Sequence, residues 1–251
     1  WIIFLFQSFA CTLYFALLYN LIKKLKFERI LILSIFTPIF ILYPIAEIEV
    51  LARKEILVFS LYLIYLMIPR NDFLKIPSLS IFLFISILIW EPIIFFFPII
   101  FLYEMIDKDI MKLNLNCLKL FLSFLPSLIL ALIIITKPLS DDNHDLMAAV
   151  LRNEFGQECY MSCALLKSKS TIMQQFQGNL ASYSIEVFIR YSLIILVGFY
   201  PLYLLIKHSL FNDKKFILLN FFKKPITPII LSLFPVIFLF AMGYDWGRWV
   251  N

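Results

Sequence analysis

The sequence predicts an all-α, polytopic integral membrane protein with about eight transmembrane or re-entrant helices and one large outer loop. Its mean hydropathy is +0.92 and 62% of its residues are hydrophobic, whereas soluble domains are roughly half apolar. The apolar residues come in blocks near the length of about 20 that crosses a hydrocarbon core. Because residue 1 already lies in an apolar stretch, we expect residues 1–251 to form a single transmembrane domain of a longer chain.

Charged breaks divide the chain into predicted spans. The first breaks are KKLKFER at residues 23–29 and LARKE at residues 51–55, and the one substantial polar region, residues 137–184, is the predicted outer loop. The predicted spans cover residues 1–22, 30–48, 56–68, 78–105, 117–136, 185–206 and 225–242.

The orientation follows from lysine and arginine, which favour the cytoplasmic side of short loops. They are concentrated in the first loop and in residues 207–224, so both loops are predicted to lie inside. Both loops can lie inside only if the number of crossings between them is even, which requires residues 78–105 to cross twice, as a hairpin with its tip at Trp90-Glu91-Pro92. With a single crossing, the predicted orientation of half of the chain would be inverted. Each arm would have about 13 residues and span roughly 20 Å, so we expect a re-entrant or tilted pair packed within protein.

With this topology, the sparse charges outside the basic inner loops gather on the outer face. Residues 53–55, the hairpin tip, the loop 137–184 and residues 245–249 all lie there. We therefore expect function on the outer side. The basic residues follow the inner membrane surface, which gives no indication of nucleic-acid binding. Buried charge on one side only also disfavours a transporter.

Residues 245–249 read Asp-Trp-Gly-Arg-Trp, directly after an apolar run. One interpretation is an aromatic belt with an arginine anchor at the interface. However, aspartate is not an anchor residue, and Gly243 and Gly247 permit an irregular backbone. Asp245 and Arg248 are spaced to pair or to present charge jointly to a ligand. We favour an anion-binding turn at the mouth of an outward cavity.

Arg53 and Lys54 lie between two apolar segments on the predicted outer side, against the positive-inside preference. They either snorkel at a helix start, with Glu47 and Glu49 as neutralising groups, or bind a phosphate or diphosphate.

Glu91 stands alone between apolar residues 81–90 and 93–102. Carboxylates within a membrane are costly and are functional candidates by default. Glu91 either caps a helix break at Pro92 or, being poorly solvated, acts as a general base. Arg190, near the start of a later span, is either its partner or an interfacial charge.

The outer loop contains SDDNHD at residues 140–145, for which we favour a solvated acidic turn over a metal site. Cys159 and Cys163 are close enough in sequence for a local disulfide in an oxidising compartment. Apolar positions at residues 147–151 and 172–176 predict short amphipathic helices that form a lid on the membrane surface. We expect neither a metal ion nor a cofactor.

The charged break RKE at residues 53–55, the acidic helix break followed by FFFP at residues 95–98, the large outer loop and the DWGRW ending resemble bacterial polysaccharide polymerases of the O-antigen (Wzy-like) and exopolysaccharide (EpsG-like) type. The resemblance implies a glycosyltransferase acting on undecaprenyl-diphosphate-linked sugars at the outer face of the bacterial inner membrane. It assigns Arg53, Arg248 and Arg190 to the diphosphate and Glu91 or Asp245 to the base.

We therefore predict a multi-pass enzyme that joins lipid-linked glycans on the periplasmic side, with membrane lipids and other polysaccharide-assembly proteins as partners. The alternatives are a transporter or flippase for the same lipids, a glycosyltransferase that uses a lipid-phosphate sugar, and an accessory subunit without chemistry.

Overall fold

The fold is built from helices. A computed structural model describes residues 2–25, 54–69, 72–108, 110, 114–136, 140–158, 172–181, 184–208 and 231–242, and within these residues every regular element is helical. The all-α prediction is therefore confirmed for the described part. Two of the described helices, at Phe4–Lys24 and Leu115–Ile134, are long and apolar enough to cross a membrane, and two shorter ones, Glu55–Met67 and Phe73–Ile89, are apolar.

The first three helices pack in chain order. They are α1 (Ile2–Leu25), α2 (Glu55–Met67) and α3 (Asp72–Ile89). Helix α1 contacts α2 around Ala10 and Ile56, both buried, where a small alanine lets two helices approach closely. Helix α2 contacts α3 through the rings of Tyr62 and Tyr65, whose centroids lie 5.4 and 5.7 Å from that of Phe82.

Helix α3 ends at Ile89, directly before the helix break that the sequence predicted at Trp90-Glu91-Pro92. Pro92 has no N–H to donate to the carbonyl of Leu88, so the last α-helical bond here runs from the Trp90 N–H to the Ser86 carbonyl, at 2.8 Å. Trp90 is extended, with φ −151° and ψ 97°, and a first 3₁₀ helix follows at Glu91–Phe96. Helix α4 (Phe97–Asp107) continues the chain.

The two arms of this hairpin are longer than expected. The first arm begins at Asp72 rather than at residue 78, and its 18 residues extend over about 27 Å. Six residues of the second arm are 3₁₀ helix, which rises about 2.0 Å per residue instead of 1.5 Å. The expectation of short arms was wrong because the predicted span began only at residue 78, whereas α3 begins at Asp72 and buries Lys75.

The other described helices complete the fold. They are α5 (Leu115–Thr136), α6 (Asp141–Phe155), α7 (Ile172–Ala181), α8 (Ile185–His208), a second 3₁₀ helix (Phe234–Val236) and α9 (Ile237–Met242). Helices α5 and α8 match the spans predicted at 117–136 and 185–206 within two residues at each end. Helices α6 and α7 lie in the predicted outer loop and overlap the short helices expected there.

The core lies between α3 and α5, which share the most extensive contact among the described elements. Leu79, Leu83 and Ile87 recur every four residues on α3 and are completely buried, as expected for one face of a helix. Phe124 on α5 meets Phe97 and Phe101 of α4 edge-on, with ring centroids 5.5 and 5.6 Å apart.

Other apolar faces point outward. Helix α8 exposes a row of large hydrophobic side chains: Phe188, Ile189, Leu193, Leu196, Val197 and Tyr200. Helix α5 exposes Phe121, Leu122 and Leu132 opposite its buried face. A water-facing surface of this composition would be unusual, whereas a lipid-facing surface requires it.

Candidate functional site

Two of the residues predicted for the outer site lie together in the fold. The Nζ of Lys54, immediately before α2, is 3.8 Å from an Oε of Glu91, at the bend of the hairpin, and each side chain is 54% exposed. An exposed ion pair of this length stabilises a fold by less than about 1 kcal/mol. Both groups are therefore accessible to a ligand, and neither is needed to hold the two elements together.

The side chain of Glu91 is exposed at the surface of the fold, whereas its apolar neighbours in sequence predicted an enclosed carboxylate. The extended backbone of Trp90 turns the chain at this point, so the indole of Trp90 is buried while the carboxylate of Glu91 points to the surface. The apolar neighbours of Glu91 in sequence do not enclose it, because a helix break changes the direction in which successive side chains point.

The hairpin bend meets the C-terminal part of the chain. The first 3₁₀ helix contacts both the second 3₁₀ helix and α9. Ile93 on one side of this contact and Val236 and Leu239 on the other are buried. Helix α9 ends at Met242, three residues before Asp245 in the sequence. The described structure thus brings Lys54 and Glu91 to the element that leads into the DWGRW segment.

The remaining predicted site residues divide into two groups. Arg53, Asp245 and Arg248 lie outside the described residues. Arg190 lies on an exposed turn of α8, and within the described part of the chain the ion-pair partner of Glu91 is Lys54, not Arg190.

The acidic stretch of the outer loop begins a helix and is not a turn. Ser140 is the N-cap of α6, and its Oγ accepts a hydrogen bond from the backbone N–H of Asn143 at 3.3 Å. The ring of His144 is buried, with its Nδ1 3.1 Å from an Oδ of Asp145. Over the described ranges no group of three or more His, Cys, Asp or Glu side chains is arranged to hold a metal ion. Cys159 and Cys163 lie outside those ranges.

Sequence reasoning missed a second polar cluster, at the opposite end of the hairpin. The Nζ of Lys75, in the second turn of α3, donates to an Oδ of Asp107, the last residue of α4, at 3.1 Å. The two side chains are only 3% and 5% exposed. The ammonium also lies 5.3 Å from the centroid of the Tyr65 ring, within cation–π range.

Glu104 lies beside this pair and is completely buried. Neither its carboxylate oxygens nor the Tyr65 hydroxyl form a well-aligned hydrogen bond within the described residues. The phenol of Tyr65 nevertheless lies within hydrogen-bonding reach of the carboxyl group of Glu104. Unsatisfied buried polar atoms are uncommon in native folds and call for an explanation.

Two features of the sequence could have revealed this cluster. Lys75 and Asp107 are equidistant from Glu91, so a hairpin with its tip at Glu91 places them opposite each other. Glu104 and Asp107 are three residues apart, a spacing that puts both carboxylates on one face of a helix.

A shallow basic pocket lies next to the cluster. It is lined by Ile76, Lys108, Ile110, Asn116, Lys119 and Leu120. Charge is therefore present at both ends of the hairpin, exposed around Glu91 and buried around Asp107.

Comparisons of the chain with known protein families, with curated proteins and with solved structures find no match.

Proposed function

We propose that this chain is a multi-pass protein of the bacterial inner membrane that joins undecaprenyl-diphosphate-linked glycans at the periplasmic face. The observation that supports this proposal is the exposed pair of Lys54 and Glu91 at the hairpin bend. A carboxylate and a cation that are close together but weakly engaged can each turn to a different part of one substrate.

In the proposed reaction Glu91 accepts the proton of an acceptor hydroxyl. The hydroxyl oxygen forms a bond to the anomeric carbon of the donor sugar, and the bond from that carbon to the diphosphate oxygen breaks. Undecaprenyl diphosphate leaves with the electron pair, and Lys54, with Arg53 and Arg248, stabilises its growing negative charge. Side-chain cations supply this charge, so the proposal requires no metal ion. Asp245 is the alternative base, and Arg190 is an alternative diphosphate ligand.

The loop 137–184 is the proposed lid. Its helix α7 packs against α9, which in turn contacts the 3₁₀ helix that begins with Glu91. These contacts support the proposed lid, because they connect a helix of the loop to the segment that carries Glu91. The exposed apolar faces of α5 and α8 are the proposed lipid contacts, and the hydrophobic spans outside the described residues bring the proposed number of transmembrane or re-entrant helices to about eight.

The test is a glycan-ladder assay in cells that depend on this chain for polymer synthesis. Glu91→Gln should lower polymer yield by about 100-fold or more if Glu91 is the general base. Glu158→Gln is the matched control, because Glu158 is also an exposed carboxylate paired with a cation, Arg152 at 2.7 Å. A normal ladder from Glu91→Gln, at normal protein abundance, would refute the assignment of the base.

A flippase for the same lipids is the second candidate, and one observation favours it. Two irregular helices, the 3₁₀ segments at Glu91–Phe96 and Phe234–Val236, contact each other, and broken helices often form the substrate sites of transporters. Purified chain in liposomes would then move a fluorescent lipid-linked sugar between leaflets without forming a glycosidic bond. Polymer formation in the same liposomes would favour the transferase.

A further inference from the structure

We propose that the carboxyl group of Glu104 is a proton-binding site, enclosed at the junction of α2, α3 and α4 and closed by the ion pair of Lys75 with Asp107. The ligand of this site is the proton itself.

The burial of Glu104 carries the inference. Its side chain is 0% exposed, and within the described residues neither carboxylate oxygen forms a well-aligned hydrogen bond, although the Tyr65 phenol lies within reach. An ionised carboxylate in such surroundings is far more costly than a neutral one. Buried ionisable groups in membrane helices commonly serve proton transfer or ligand binding. We infer that Glu104 is held as the neutral acid in this conformation.

Within the described residues Glu104 forms no ion pair with either of its neighbouring lysines, Lys75 and Lys108. The Nζ of Lys75 donates to Asp107 at 3.1 Å, so the nearest buried positive charge is already matched by one carboxylate. The titratable groups around Glu104 come from all three helices: Tyr62 and Tyr65 on α2, Lys75 on α3, and Tyr103, Asp107 and Lys108 on α4. Among these groups Lys75 is the buried lysine, and it pairs with the carboxylate of Asp107 and not with that of Glu104.

Release of the proton requires this junction to open. Asp107 follows Glu104 by one helical turn, and its partner Lys75 lies near the start of α3, so separation of α3 from α4 breaks the ion pair and admits water to Glu104. Each state therefore favours one protonation form, and protonation shifts the balance between them. The contact between α3 and α4, at the end of the hairpin opposite to Glu91, therefore depends on the protonation of Glu104.

Carbodiimide labelling of the purified full chain in detergent tests the proposal. A neutral carboxylic acid adds across one C=N bond of dicyclohexylcarbodiimide. Its oxygen bonds to the central carbon and its proton moves to nitrogen, and rearrangement gives a stable N-acylurea that retains the whole reagent. Peptide mass spectrometry locates the adduct without any variant. The hydrogen bond and charge of Arg152 lower the pKa of the exposed carboxyl group of Glu158, so Glu158 is the internal control.

We expect Glu104 to be labelled at pH 7 about tenfold or more above Glu158, with the rate falling as the pH rises, since only the protonated form reacts. Glu104→Gln should remove the adduct. Lys75→Met should slow labelling at pH 7 several-fold, because the open junction admits water and favours the ionised form of Glu104, which does not react. Because labelling uses purified protein, its result is independent of glycan transfer.

Three outcomes would overturn the proposal. The first is the absence of an adduct at Glu104 at any pH. The second is a labelling rate unchanged by Lys75→Met, which would exclude closure by the ion pair. The third is protection by sodium chloride relative to choline chloride at equal ionic strength and pH, which would identify a sodium site instead.

Discussion

The ammonium of Lys75 lies 3.1 Å from the carboxylate of Asp107, which is 32 residues further along the chain, and both side chains are almost fully buried. Because these residues begin and end the two arms on either side of Trp90, their contact shows that the chain reverses direction at the helix break. The buried ion pair thus joins the two open ends of the hairpin. The exposed Lys54–Glu91 pair lies at its bend.

Breaking the buried pair should be costly. Lys75→Met or Asp107→Leu alone should lower the free energy of unfolding by about 3–5 kcal/mol, since each leaves one buried charge unmatched. The double variant should recover most of this loss, because two apolar side chains replace two charges. Denaturant unfolding in detergent measures all three. Lys54→Met, in the exposed pair, is the control and should cost less than about 1 kcal/mol. Equal losses in the single and double variants would contradict the coupling.

The aromatic contact between α4 and α5 should depend on Phe124. This ring is 3% exposed and meets Phe97 and Phe101 edge-on, so Phe124→Ala should destabilise the fold by about 3–5 kcal/mol. Phe121→Ala removes the same side chain from the same helix at a position that is 51% exposed, and its effect should be much smaller. Thermal unfolding of the two variants side by side would show the difference; similar melting temperatures would argue against the burial of Phe124.

Two glycines of the outer loop should respond oppositely to alanine. Gly156 ends α6 with φ +61°, whereas Gly178 lies inside α7, and a Cβ at either position meets no atom within 4 Å. Strain alone should make Gly156→Ala unfavourable by about 1–2 kcal/mol. Gly178→Ala should instead favour its helix by up to about 1 kcal/mol. Fraying of α6 is measured by the rate of tryptic cleavage after Arg152, which should rise only in Gly156→Ala.

The two ends of the hairpin should be accessible from opposite sides of the membrane. In a variant without the four native cysteines, Glu91→Cys should react with an impermeant maleimide from the periplasmic side. Lys119→Cys, an exposed position lining the basic pocket at the other end, should react from the cytoplasmic side. Labelling of both positions from one side would exclude the double crossing, and labelling of Glu91→Cys from the cytoplasm alone would also remove the basis of the proposed periplasmic site.

The local features of the fold could be predicted from the sequence. The helices at Leu115–Thr136 and Ile185–His208 follow from the length of their apolar blocks, which depends on neighbouring residues only. The break at Trp90 follows from Pro92, because a missing N–H is a property of one residue. The short helices of the outer loop follow from their apolar spacing in the same way.

The surroundings of each charge were decided by the tertiary structure alone. Glu91, expected to be poorly solvated, is exposed, whereas Glu104, near the end of the same apolar block, is completely buried. Hydropathy averages over adjacent residues, but solvation depends on which distant segments pack around a side chain and on the direction in which the backbone points it. The way in which α3 and α4 meet determines that Lys75 forms an ion pair with Asp107. The same arrangement leaves Glu104 without an ion pair within the described residues.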